Sequence, residues 1–394
     1  MGDASAVARL PNPLLAALPL AVIAVLVAGF IALDPLGDLR AVPPVEEVTV
    51  ERTVLTEDRI TLAVRNGGPD PVRIAQVLVN EAYNAFTISD PELGRLESAT
   101  LDIPYPWDEG LPVHIGLVTS TGAVLEHDIE VASLTPEATW STFLVYALLG
   151  LYIGVIPVAI GLLWFPALRR ASARWLAFFL AFTVGLLVFL LLDTVAEGLE
   201  LAGQAGAALD GLSLFGAGLL AAVLCLVVLD RSLEGRRGRG AARGASGLAL
   251  AYLVAGGIGL HNLGEGLAVG AALAAGEIAL GTFLVVGFAV HNTTEGLAIV
   301  APLGKERQRP SLLHFVGLGV VAGAPTIAGA LAGGFAFSAA WSALAFGVAA
   351  GAIAVVVWQI ARSIRTDAGL TSVIGAVGLL VGFLFMYATG LLAA

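Results

Sequence analysis

The chain has almost no cysteine and little charge, and both absences narrow its class. Cys225 is the single cysteine among 394 residues and lies inside an apolar run. A disulfide framework and a thiolate metal site are thereby excluded, so any metal bound here is held by nitrogen and oxygen. Charged residues make up 13% of the chain against 58% hydrophobic. A soluble domain of this length needs far more charge to cover its surface, so most of the chain reads as membrane. The His-Glu-x-x-His arrangement of hydrolytic zinc helices is absent and nothing implies a chemical step, so the chain is not read as an enzyme. What is abundant is Gly, with 48 residues, which suits transmembrane helices that pack backbone to backbone.

Residues 1–13 are short and polar with Arg9, and an apolar run from Leu14 to Leu33 follows. The run is long enough to cross a bilayer core and long for a signal peptide, and no small-x-small cleavage site follows it. Residues 1–35 are therefore expected to be an uncleaved anchor helix with a cytoplasmic N-terminus. From Asp34 to Glu137 there are nineteen acidic residues against six Arg and no Lys. Alternating runs (VTVERTVL, ITLAVRN, VRIAQVLVN, ATLDI, VHIGLVT and VLEHDIEV) are separated by turn signals such as Asn66-Gly67-Gly68 and Ser120-Thr121-Gly122. Residues 36–137 are expected to form a small antiparallel β-sandwich outside the cytoplasm. Its acidity would concentrate cations. His114 and His127 read as ordinary strand histidines, because Glu126 and Asp128 flank His127 and point to the opposite face.

Residues 138–394 read as eight membrane helices, at about 140–165, 175–201, 211–229, 247–275, 279–303, 312–336, 340–361 and 370–393. Basic clusters fall in alternate loops: Arg169, Arg170 and Arg174, then Arg231 to Arg243, then Lys305, Arg307 and Arg309, then Arg362 and Arg365. The loops around 202–210, 276–278 and 337–339 have no Lys or Arg. By the positive-inside rule the basic loops are cytoplasmic, and the β-domain and C-terminus lie outside. The Arg/Gly-rich stretch at 231–246 reads as a flexible cytoplasmic linker, with no nucleic-acid role. The expected setting is a multi-pass protein of the cell membrane.

Two copies of His-Asn-x-x-Glu-Gly, HNLGEG at 261–266 and HNTTEG at 291–296, stand in otherwise apolar helices. Ionisable groups at membrane depth are costly and mark functional sites. Counting from a turn near 276–279 puts Glu265 and His291 both about 17 Å below the mouth, near the midplane of a core about 30 Å thick. His261 with Glu265, and His291 with Glu295, are i,i+4 pairs sharing a helix face, and Asn262 and Asn292 can add amide oxygens. Imidazole, carboxylate and amide oxygen suit Zn²⁺, Fe²⁺, Mn²⁺ or Co²⁺, with Cu⁺ disfavoured. Asp193, Glu197 and Glu200 form an acidic stripe on the helix at 175–201, read as an access route for cations.

HNLGEGLAVG and HNTTEGLAIVAPL resemble the fourth and fifth transmembrane helices of ZIP (Zrt/Irt-like) divalent-metal transporters, and the resemblance covers about residues 140–394. It implies an eight-helix bundle that admits divalent metal, zinc foremost, to the cytoplasm by alternating access. It also implies that His261, Asn262, Glu265, His291, Asn292 and Glu295 bind the metal, with Asp193 and Glu197 on the route. Three departures stand out. Gly264 and Thr294 occupy positions where the family commonly has Pro, and Asp193-Thr-Val-Ala-Glu197 stands where the family often has His-x-x-Pro-Glu. On the helix at 340–361, expected to supply a further carboxylate, the polar candidate is Gln359, which bears on whether one metal or two are bound. The anchor and β-domain lie outside the resemblance. A homodimer is compatible with the sequence, which names no partner for the β-domain. The reading from another class is a non-transporting, metal-responsive membrane receptor whose β-domain contacts a partner.

Overall fold

The structure, a computed structural model, describes residues 12–33, 46–129, 131–205, 209–236, 247–274, 278–306, 309–364 and 372–391. The polar N-terminal residues with Arg9, the start of the β-domain at 36, most of the Arg/Gly-rich linker, the turn at 275–277, Arg307 and Arg365 lie outside these. Helix α1, Asn12–Leu33, is 22 apolar residues, about 33 Å at 1.5 Å per residue. It belongs to a unit, Met1–Val45, separate from a second unit, Glu46–Ala394.

The second unit begins with eight strands: β1 Val48–Thr56, β2 Arg59–Asn66, β3 Ile74–Val79, β4 Ala82–Asn84, β5 Thr87–Ile88, β6 Ser98–Pro104, β7 Val113–Thr119 and β8 Val124–Ile129. They form two antiparallel four-stranded sheets in the orders β1-β2-β6-β5 and β4-β3-β7-β8. Alternation drives the layering: Ile60, Leu62 and Val64 of β2 and Leu101 and Ile103 of β6 face Val77 and Val79 of β3 and Ile115 and Leu117 of β7 in one buried core. The expected strands appear, and β4 and β5 are additions too short to show a period. Asn66 closes the turn after β2, its amide donating to the carbonyls of Asp70 and Leu93 while its oxygen accepts from the Gly68 amide. Pro104 ends β6, as its missing N–H requires. After β8 the chain returns along β1, with reciprocal bonds of 2.9 Å between Leu55 and Thr135.

Thr139 caps α2, Trp140–Gly150, which runs through a π-helical turn, Leu151–Val155, into α3, Ile156–Leu162. Then follow α4 Phe165–Arg170, α5 Ala173–Gln204, α6 Gly211–Arg236, α7 Gly247–Ala274 and α8 Ile278–Val300, and after a 3₁₀ turn α9 Leu312–Ala336, α10 Ala339–Ser363 and α11 Val373–Gly390. Among the described residues, eight spans from Trp140–Arg170 to Val373–Gly390 are long and apolar enough to cross a bilayer. The chain is a polytopic helical membrane protein with a β-domain. Leu220, Leu224 and Val228 form an outward apolar stripe on α6, as Val316 and Val320 do on α9, and such stripes contact lipid.

Glycine decides which helices pair. A Cβ on Gly266 of α7 would lie 2.2 Å from the Thr326 carbonyl oxygen of α9, and one on Gly161 of α3 would lie 2.1 Å from that of Thr293 of α8. Similar close approaches join α10 to α6 and α11 to α5. Lipid offers no hydrophobic drive for helix association, so this backbone proximity and its dispersion contacts hold the bundle.

Candidate metal centre

The two motif helices meet as neighbours deep in the bundle. His261, Asn262, Glu265, His291, Asn292 and Glu295 are all buried, none more than 3% exposed. Glu265 is central: its Oε1 lies 2.8 Å from His291 Nε2 and 3.6 Å from His261 Nε2, while Glu295 Oε1 lies 3.8 Å from His291 Nε2. The imidazole rings are nearly parallel, 13° apart with centroids separated by 6.1 Å. His261, Glu265 and His291 each offer one ligand atom, and these atoms lie within 4.8 Å of one another.

The hydrogen bonds show which atoms are left over. Asn262 donates through Nδ2 to the Ala322 carbonyl of α9. Asn292 donates through Nδ2 to the Ile153 carbonyl at 2.8 Å and to Glu265 Oε2 at 2.7 Å. Ile153 lies four residues before Pro157, whose missing N–H frees that carbonyl. The π-helical turn and the proline thus prepare an acceptor that aims Asn292. With both amide nitrogens engaged, Asn262 Oδ1 and Asn292 Oδ1 remain buried without a hydrogen-bond partner, together with His261 Nε2, both His291 ring nitrogens, Glu265 Oε1 and both Glu295 oxygens.

Buried polar atoms are normally hydrogen-bonded, and a group of eight that are not is costly unless something else completes it. A cation does so. Two donors held at about 2.0–2.2 Å from one ion are about 2.9 Å apart at right angles and about 3.4 Å at tetrahedral angles. The 2.8 Å approach of His291 Nε2 to Glu265 Oε1 lacks hydrogen-bond direction, which suits two ligands of a common ion better than a donor and acceptor. Among the described residues no Lys or Arg pairs with either carboxylate, so a divalent charge would neutralise both.

The neighbouring helices place the remaining expected residues. On α5 the side chain that touches the centre is Thr194, fully buried, with Oγ1 2.8 Å from His261 Nδ1. Asp193 and Glu200 are exposed and Glu197 is half-buried; the charges of Asp193 and Glu197 lie close enough to act on His261. Helix α7 passes Gly264 without a break, and the space a side chain would need there is filled by the Phe346 ring of α10. Thr294 donates to the His291 carbonyl at 2.7 Å. On α10, Phe346 is the residue level with the motif; Gln359 lies thirteen residues further, about 20 Å along the helix. Gln359 is therefore not beside this centre, since α10 runs antiparallel to α7, with Phe346 against Gly264 and Ile353 and Val356 against Gly257, and Gln359 lies further along.

On the sandwich side, a cavity of about 610 Å³ lies between the β-domain and the helix ends, lined by Glu51, Thr53, His127, Gln204, Ala271 and Gly333, among others. Ala271 is six residues above Glu265 and Gln204 seven above Glu197, a drop of about 10 Å in each helix. His127 is partly buried there, its Nε2 2.9 Å from Thr53 Oγ1, and burial lowers its pKa against a weaker upward pull from Asp128. His114 is exposed and pairs with Asp128 at 2.8 Å.

Thr194 and the Ile153 carbonyl are the parts of the site that sequence reasoning did not find. Pro157 was the available signal for the carbonyl. Compared with protein-family models and with curated proteins, the chain shows no match.

Proposed function

We propose that this protein is a divalent-metal transporter of the ZIP type, with Zn²⁺ foremost and Fe²⁺, Mn²⁺ or Co²⁺ as further substrates. The observation that carries the reading is the set of eight buried nitrogen and oxygen atoms without a hydrogen-bond partner on His261, Asn262, Glu265, His291, Asn292 and Glu295. Dehydrating a divalent ion at low dielectric is expensive, and two carboxylates with two imidazoles offset that cost. In this reading the β-domain faces outside and the N-terminus lies in the cytoplasm. Metal gathers in the cavity beneath the sandwich, passes the charges of Glu197 and Asp193, binds at the motif centre, and leaves toward the cytoplasm when the helices rearrange.

The test is metal uptake into proteoliposomes, followed with an entrapped zinc indicator, alongside equilibrium binding. Saturable uptake that Glu295→Ala abolishes is expected. Saturable binding without flux would instead favour a metal-responsive receptor, and absence of both would remove the metal centre.

A further inference from the structure

We propose that Thr194 is a positioning residue that fixes a proton on His261 Nδ1 and so turns Nε2 toward Glu265. A threonine hydroxyl has one proton. The Thr194 Oγ1 lies 2.7 Å from the Leu190 carbonyl oxygen, which has no proton to give, so the hydroxyl proton sits in that bond. The second contact, 2.8 Å to His261 Nδ1, is then one in which Oγ1 accepts and Nδ1 must carry hydrogen. In a neutral imidazole the other nitrogen is unprotonated, and His261 Nε2 is the atom left without a partner, 3.6 Å from Glu265 Oε1. The opposite tautomer would leave two oxygens facing each other at 2.7 Å with no proton between them. His291 offers the contrast, because neither of its ring nitrogens has a hydrogen-bond partner.

The support comes from outside the motif helices. Thr194 lies on α5, which packs on α10, α11 and α6, whereas His261 lies on α7, which packs chiefly on α9. One ligand is thus oriented by a helix that supplies none of the six motif side chains. Partners of this kind set ring orientation and ligand basicity, and losing one weakens metal affinity by about 10–100-fold. The consequence for affinity rests on the metal-transport reading; the tautomer does not.

The experiment uses the full chain in detergent, metal-free and mildly alkaline, with ¹⁵N-labelled histidine. His261→Gln identifies the His261 signals by their disappearance. Long-range ¹⁵N–¹H correlations should show His261 in one tautomer, protonated at Nδ1. Thr194→Val should abolish that single pattern and weaken Zn²⁺ binding about 10–100-fold, while Thr194→Ser restores both. An Nε2–H pattern in the unaltered protein, or an unchanged pattern in Thr194→Val, would overturn the assignment even with zinc binding intact. An Nδ1–H pattern without any zinc binding would uphold the assignment and overturn the metal reading.

Discussion

Replacing Glu265 with Gln separates a metal centre from a merely polar core. The substitution is isosteric, and its carbonyl can still accept from Asn292 Nδ2, now 2.7 Å from Oε2. Its amide NH₂ would then stand where Oε1 does now, 2.8 Å from His291 Nε2. Without metal the variant should be at least as stable as the parent, because it removes a buried charge while keeping its contacts. With metal the balance reverses. Removing one partner of a buried charged pair costs about 3–5 kcal/mol, which raises Kd about 160- to 5,000-fold. At a Zn²⁺ concentration 1,000 times the parent Kd, binding stabilises the parent by about 4.1 kcal/mol, and the variant by about 0.1–1.2 kcal/mol at the same concentration. Competition with a zinc indicator measures Kd, and unfolding with and without Zn²⁺ measures the stabilisation. A Kd within threefold of the parent, or a retained zinc-induced stabilisation, would refute the reasoning.

Gly161→Ala should destabilise the bundle by about 1–3 kcal/mol, since its Cβ would lie 2.1 Å from the Thr293 carbonyl oxygen. Gly256→Ala, where nothing lies within 4 Å, should instead be neutral or stabilising by about 0.4–1 kcal/mol; denaturant unfolding ranks the two, and the reverse order would contradict the packing described. Asn66→Ala should cost the sandwich about 0.5–1.5 kcal/mol for each hydrogen bond lost to the Leu93 carbonyl and the Gly68 amide, both of which keep a backbone partner, Val72 and Glu47, read from the same curves. His127 has a pKa lowered by burial, so the folded state prefers the neutral ring. Its contribution is fully present above the unfolded value of about 6.5 and is lost as pH falls through the lower folded value. Stability should decline across that window, and His127→Gln should flatten the decline; an identical pH profile in the variant would exclude His127 as its source.

The helices and strands were legible because hydrophobic period and loop charge are local properties. The run from Gly247 to Ala274 and the alternation of β2 and β6 can be read residue by residue. Strands β4 and β5, with three and two residues, have too few positions to show a period and exist through pairing with β3 and β6. Within the site, the spacing of His261 with Glu265 and of His291 with Glu295 was visible on each helix alone. The acidic residues of α5 drew attention for their charge, yet the side chain that reaches the centre is neutral Thr194. Helix rotation decides that, and nothing in a charge pattern encodes it. Gln359 likewise stood out as polar, but α10 brings Phe346 to the level of the motif.

By itself the sequence determined a membrane bundle with an acidic β-domain, and two matching His-Asn-x-x-Glu-Gly motifs whose donors exclude sulfur. It did so because composition, period and ligand chemistry belong to each residue or its near neighbours. The tertiary structure decided that Glu265 stands between both imidazoles, and that Pro157 frees a carbonyl which aims Asn292. It also decided that Thr194 holds His261 from another helix. Those facts depend on which helix faces which, and that is settled where glycines let backbones touch.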